Sequence, residues 1–303
     1  MSQMADSTPS VMDDPLFEAQ ANNDAFVARV NDQISFGTFD ANDHQTLKQL
    51  VEGLGDTRGM TRLRFAETLG DIGEPATPFL IEALQSHANV VVRRAAAKTL
   101  TLIADPTAVS PLVEAFLHDE DTVVRGSSAG ALARTGEAAA PSLLAILASP
   151  DYAQDTKGHA AWALAFMGSE AESYLYQALN SDSLDVRCAV MGALGHVAQE
   201  KADEKSCQLL VSALTDPEPL IRTEAAAALG QINYPACVPH LILALQDSNV
   251  DVKKATVNSL GKIGDVQAME ALQLALKDDL DVIRTLARLA INQIERQAEE
   301  DNW

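Results

Sequence analysis

A cation recurs along this chain at an almost constant interval, each time directly after a β-branched residue. The pairs are Thr61-Arg62, Val92-Arg93, Val124-Arg125, Thr156-Lys157, Val186-Arg187, Ile221-Arg222, Val252-Lys253 and Ile283-Arg284. Successive cations lie 31, 32, 32, 30, 35, 31 and 31 residues apart. Seven residues after each stands an aliphatic: Leu69, Leu100, Leu132, Leu164, Leu194, Leu229, Leu260 and Ile291. Registers that coincide in this way mark internal repetition, and a period near 31 belongs to helical-hairpin arrays.

Each repeat reads as two helices. The second is expected to begin at the β-branched–cation pair, with core positions at +3, +4, +7 and +10 from the cation. In the sixth repeat these are Ala225, Ala226, Leu229 and Ile232, an apolar stripe at helical spacing. Alanine within that stripe lets neighbouring helices approach closely. Gly73, Gly136, Gly168 and Gly264 are placed to end this helix. The first helix carries leucine-rich runs such as Phe79–Leu84 and Pro239–Leu245, with Pro78, Pro111, Pro141 and Pro239 in its first turn, where a missing N–H costs little. One such pair cannot bury its apolar face alone, whereas stacked pairs share a continuous core. The fold class is therefore all-α, a right-handed α-solenoid of about eight short helix pairs. The expected organisation is a disordered leader over 1–14, a cap helix and linker over 15–42, the repeat array over 43–296, and a frayed tail over 297–303.

Six residues before the cation, six repeats carry aspartate: Asp56, Asp119, Asp151, Asp216, Asp247 and Asp278. An aspartate ahead of a helix can accept backbone N–H groups, and an arginine one repeat along can pair with it. These aspartates, with Arg62, Arg93, Arg125, Arg187, Arg222 and Arg284, are read as a structural ladder. Lys157 lacks the planar fork of arginine, and His87 and Ser181 stand where the second and fifth repeats would carry aspartate.

Charge and cysteine usage narrow the function. With 22 basic and 43 acidic side chains the formal charge is −21, which disfavours nucleic acid and anionic membrane surfaces. No apolar run is long enough to span a bilayer, and the N-terminal sequence lacks the basic and apolar regions of a signal peptide. Cys188, Cys207 and Cys237 form no CxxC pair, so neither a disulfide framework nor a metal site is signalled. The expectation is a cytoplasmic protein with reduced thiols. No nucleophile–histidine–acid arrangement, phosphate loop or dinucleotide fingerprint occurs. The residues describe a binding protein and leave enzymatic activity undecided.

The unit Asp-x5-Arg-x2-Ala-Ala-x2-Leu-Gly-x-Ile-Gly, with leucine-rich helices between, resembles a HEAT repeat in a short form. That form is similar to the HEAT-like repeats of the cyanobacterial phycobilin lyase E/F family and its relatives in phycobilisome degradation (the non-bleaching type). The resemblance implies that the second helices line a concave groove. It also implies work on phycobiliprotein subunits or their bilins: attachment or detachment of chromophore, or phycobilisome turnover. A transiently held, phycocyanobilin-like bilin and a second HEAT-like subunit follow from it as well. The alternative is a non-enzymatic scaffold that grips a client helix in the groove.

If +3, +4, +7 and +10 face the core, then +1, +2, +5 and +9 face the groove. In the fourth repeat these are Gly158, His159, Trp162 and Phe166, while the flanking repeats are small there, with Gly126, Ser127 and Gly130 before and Ala189 and Gly192 after. Large rings beside absent side chains describe a pocket floor. Arg94, Lys98, Arg134 and His196 are predicted at the same level and would suit a flat anionic ligand, guanidinium groups pairing with its carboxylates. On the bilin reading Arg94, Lys98 and Arg134 would anchor propionates, and His159 would donate or accept a proton. The competing assignment is packing, because a register shifted by one residue buries Trp162. Cys188, at +1 of the fifth repeat, is a further candidate as a transient thioether site.

Overall fold

A computed structural model describes residues 15–201, 203–232 and 234–300. The expected leader, 1–14, and residues 301–303 lie outside these. Among the described residues all regular structure is helical. Helix α1 (Pro15–Ser35) precedes eight pairs: α2 (His44–Gly53) with α3 (Gly59–Ile72), α4 (Thr77–Ser86) with α5 (Val90–Ile103), α6 (Val109–His118) with α7 (Thr122–Arg134), α8 (Ala140–Ala148) with α9 (Gln154–Met167), α10 (Glu172–Ala178) with α11 (Leu184–Lys201), α12 (Glu204–Ala213) with α13 (Pro219–Leu229), α14 (Val238–Ala244) with α15 (Val250–Ile263), and α16 (Met269–Ala275) with α17 (Asp281–Glu300). The described residues fall into two compact bodies, one up to Ala138 and one from Ala139. In the first, α1, α3, α5 and α7 pack in succession; in the second, α9, α11, α13, α15 and α17 do so.

Each second helix starts two residues before its β-branched–cation pair, so the cation is its fourth residue. The cause is the N-cap. Asn89, Asp121 and Asn249 stand four residues before their cations, and each side chain accepts backbone N–H groups of the first turn at 2.9–3.3 Å. The positions before the cation then turn inward, and Val92, Val124, Val186, Ile221, Val252 and Ile283 are buried. The helix stops are also visible in the backbone: Gly73, Gly136, Gly168 and Gly264 have φ between 52° and 76°. Ala104 takes the same place in the second repeat at φ 56°, where its Cβ crowds the backbone. The last helix continues to Glu300, so residues 297–300 of the expected tail are helical.

The core positions at +3 and +7 are buried almost throughout, from Phe65 and Leu69 to Ala225 and Leu229. A further buried position, +6, was not among those expected. It carries Thr68, Thr99, Ala131, Ala163, Ala193, Ala228, Ser259 and Ala290, all small and all buried. This is where one second helix meets the next. A methyl group at Gly195 would lie 3.1 Å from Ala228 Cβ, and one at Gly261 would lie 2.9 Å from Ala290 Cβ and 3.0 Å from its Cα.

The cations tie adjacent repeats forward. Arg93 pairs with Asp119 (3.0 Å), Arg222 with Asp247 (2.6 Å) and Lys253 with Asp278 (2.7 Å). The carboxylate therefore comes from the repeat after the cation, not before it. Arg62, Arg187, Arg222 and Arg284 also donate to the carbonyls of Asp56, Ser181, Asp216 and Asp278 in their own turns, at 2.6–2.9 Å. Asp56, at the first turn, is held by Arg58 (2.9 Å), which also binds Asp24 of α1 (2.7 Å). At the other end, the +4 and +8 positions of α17 are Arg288 and Asn292, both exposed, so this helix closes the apolar stack with a polar face.

Three substitutions test this packing. Gly261→Ala should destabilise the fold by about 1–3 kcal/mol through overpacking against Ala290. Ala104→Gly should stabilise it by about 1 kcal/mol by relieving a left-handed alanine. Asp247 is held below the usual carboxylate range by its hydrogen bonds from Arg222. Its contribution is therefore complete above the ordinary aspartate value near 4 and is lost as pH falls through the lower folded value. Asp247→Asn should cost about 2 kcal/mol at neutral pH and should flatten the loss of stability below about pH 4. Denaturant melts of each variant at pH 7, and of the last down to pH 2, provide the check.

Candidate functional site

Helix α9 separates two sets of residues by helical phase. Ala160, Ala163, Leu164 and Met167 fill the core, while Trp162 and Phe166 point out, 52% and 51% exposed. Their ring centroids are 5.6 Å apart at 35°. The competing assignment, Trp162 as packing, is thereby excluded. His159 is exposed one turn before, with Nδ1 2.9 Å from the Asp155 carbonyl oxygen. A pair of half-exposed large rings is costly to leave in water and is typical of recognition surfaces.

Beside the rings lies an open depression of about 330 Å³ between α9 and α11. Trp162 forms a wall, and Gly158, Ala161, Ala189 and Gly192 form the floor. Gly158 and Gly192 sit within helices, where glycine costs about 1 kcal/mol relative to alanine. A methyl group at either would meet no atom within 4 Å. Packing does not explain these glycines, unlike Gly261, and their effect is to leave the helix backbone open to whatever enters.

Polar groups of the depression are Gln154, Lys157, Asp185, Cys188 and Glu224. Lys157 is buried and bound to Asp185 at 2.5 Å, because Ser181 offers no carboxylate at the ladder position. Glu224, from α13, makes no hydrogen bond or ion pair among the described residues, and desolvation raises its carboxyl although the residue remains exposed. The pocket is therefore not cationic. Glu224 and Asp185 were missed in the sequence because only cations were sought there; Glu224 occupies a +2 position already assigned to the groove.

The other predicted ligand groups are distributed as follows. His196 is exposed on α11 in the second body. Arg94, Lys98 and Arg134 belong to the first body. Lys98 and Arg134 are exposed there, while Arg94 is engaged by Asp121, at 2.8 Å through Nε and 2.5 Å through Nη2. Among the described residues no group of three or more His, Cys, Asp or Glu side chains is placed to hold a metal ion, and no helix is long and apolar enough to cross a membrane.

Burial pushes the Cys188 thiol up to about 11, with Glu224 and Asp185 adding to the shift. A thiol so protonated is a weak nucleophile at neutral pH. Its alkylation by iodoacetamide should therefore be slow at pH 7.5 and rise about tenfold per pH unit up to pH 10, as followed by mass spectrometry of the Cys188 peptide; a rate already at plateau by pH 8.5 would contradict it.

The HEAT-repeat family model matches residues 77–154, 140–226 and 207–292. The bilin biosynthesis protein MpeU of Synechococcus sp. (strain WH8020) is 37% identical over 264 residues, covering 86% of this chain and 89% of that protein. An uncharacterised phycocyanin operon protein Z of Pseudanabaena tenuis is 33% identical over 128 residues, 40% of this chain and 62% of that protein. Among solved structures, the karyopherin Kap121p bound to the extreme C-terminus of the phosphatase Cdc14p aligns over 96% of this chain and 38% of its own, with a TM-score of 0.58 at 14% identity; at that identity the likeness concerns the fold alone. The repeats, their helix pairs and the relationship along nearly the whole of MpeU lead to one assignment: the chain belongs to the HEAT-repeat family of phycobilin lyase type that includes MpeU.

Proposed function

We propose that this protein handles bilins on their way to or from phycobiliprotein subunits, holding the chromophore against Trp162 and Phe166. The observation that carries the proposal is the half-exposed ring pair standing over a floor of unpacked helix glycines. Flat conjugated rings stack favourably on such aromatic faces, and the absence of side chains at Gly158 and Gly192 lets a ring approach the helix backbone. The relationship to a bilin biosynthesis protein supplies the chemical class.

The chemistry asked of the site is positional. A bilin held in one conformation beside a client cysteine reacts as an intramolecular partner, and such orientation is worth several orders of magnitude in rate. Cys188 is unsuited to carry the chromophore covalently, because its thiol stays protonated. His159 is exposed and close enough to the rings along α9 to exchange a proton with a stacked ligand, and we assign it that role. Phycobiliprotein subunits are the proposed clients, and a second HEAT-like chain is the proposed co-worker.

Purified protein mixed with free phycocyanobilin should give a red-shifted, sharpened visible band. Trp162→Ala should weaken binding about tenfold, in line with the loss of one stacking anchor. Gly192→Ala should raise the stability of the fold by up to about 1 kcal/mol while weakening binding, a combination that packing defects do not produce. An unchanged spectrum with wild-type protein, together with capture of phycobiliprotein subunits that depends on Trp162, would favour the scaffold that grips a client helix.

A further inference from the structure

The depression beside Trp162 is polarised in a way that fixes how a ligand sits in it. Its one lining cation, Lys157, is buried and already bound to Asp185 at 2.5 Å. Its other polar groups are the Gln154 amide, the Cys188 thiol and the Glu224 carboxylate of α13. Among the described residues Glu224 accepts no hydrogen bond and forms no ion pair, and its polar neighbour is the Cys188 thiol, a weak donor. A carboxylate on a partly apolar rim with only a weak donor satisfies itself best with N–H groups brought by the ligand. A carboxylate-bearing edge entering the same space would meet Glu224 as a like charge, with no available cation to offset it.

We propose that Glu224 is a positioning residue that accepts the pyrrole N–H groups of a tetrapyrrole stacked on Trp162. The nitrogen edge of the chromophore then faces into the depression and its propionates face outward. This rests on the bilin-handling reading and adds to it the orientation of the ligand and the group that sets it. It departs from propionate anchoring as the source of affinity in this body, because the pocket supplies no cation for the purpose. The same arrangement favours the protonated tetrapyrrole, whose four N–H groups carry a positive charge. An opposite charge at hydrogen-bond range raises the pKa of such a cation by about 1 unit or more.

The test uses the full chain, free phycocyanobilin and its dimethyl ester, with Glu224→Gln and Glu224→Asp. Glu224 is exposed and unpaired, so neither variant should alter the melting profile, which is measured first. Wild-type protein should bind the ester within about twofold of the free acid, since the blocked propionates point away. The absorbance of bound bilin, titrated from pH 5 to pH 9, should show the protonated form persisting about 1 pH unit higher in wild type than in Glu224→Gln. Glu224→Asp should restore part of that shift. Loss of affinity for the ester by tenfold or more, or coincident titration curves in wild type and Glu224→Gln, overturns the orientation while leaving bilin handling intact. Failure of wild type to bind bilin at all removes the bilin-handling reading, and this inference with it. If Glu224→Gln instead weakens capture of a bilin-free client subunit while bilin titration is unchanged, the carboxylate serves a protein contact and the inference fails.

Discussion

Close approach between consecutive second helices is the constraint on which the rest of the structure depends. Ala228, Ser259 and Ala290 are small because the neighbouring turn, at Gly195, Gly230 and Gly261, comes within methyl distance. That spacing lets the fully buried leucines at +7 of adjacent repeats merge into a shared core within each body, and each contributes about 1.5–3 kcal/mol on burial. Larger residues at these meeting points would separate the helices and open the core along its length. The alanine-rich composition of the second helices is thus a packing requirement, not a by-product of helix propensity.

The cation ladder is secondary to this contact but sets its register. Arg222 spans from its own turn, at the Asp216 carbonyl, to the carboxylate of Asp247 in the following repeat. Asp247 in turn accepts the N–H of Asn249, which caps the next helix. A side chain is thereby linked to the start of the neighbouring helix through three hydrogen-bonded groups. Where Ser181 replaces the aspartate, Lys157 turns to Asp185, and both residues line the depression beside Trp162. The irregularity in the ladder and the candidate site therefore occupy the same place.

The repeat period and the eight helix pairs were legible in the sequence, because they follow from helical spacing around a recognisable anchor, whereas the phase of Trp162 stayed open to a register shift of one residue until burial fixed it. The helix starts lie two residues ahead of the anchor, because Asn89, Asp121 and Asn249 cap the first turn there and the repeating pair does not mark them. The +6 position escaped notice because threonine, serine and alanine carry little hydrophobic signal, although they lie at the tightest contact. At the site, His159, Trp162 and Phe166 could be placed by phase once the register was fixed, which the burial of +3 and +7 does. The pairing of Arg94 with Asp121 and of Lys157 with Asp185 could not, because both join residues 27 or 28 positions apart through a geometry that the period does not specify.

Helix α9 keeps its core residues and its rings in different helical phases, and this has a consequence for how the family can diversify. Ala160, Ala163 and Leu164 answer to neighbouring helices, whereas Gly158, His159, Trp162 and Phe166 answer to nothing in the core. Substitutions in the second set do not enter the core contacts made by the first. The exposed face of α9 can therefore be rewritten for a new ligand without renegotiating the fold, and a duplicated copy of such a chain reaches a different specificity through a handful of surface changes on one helix.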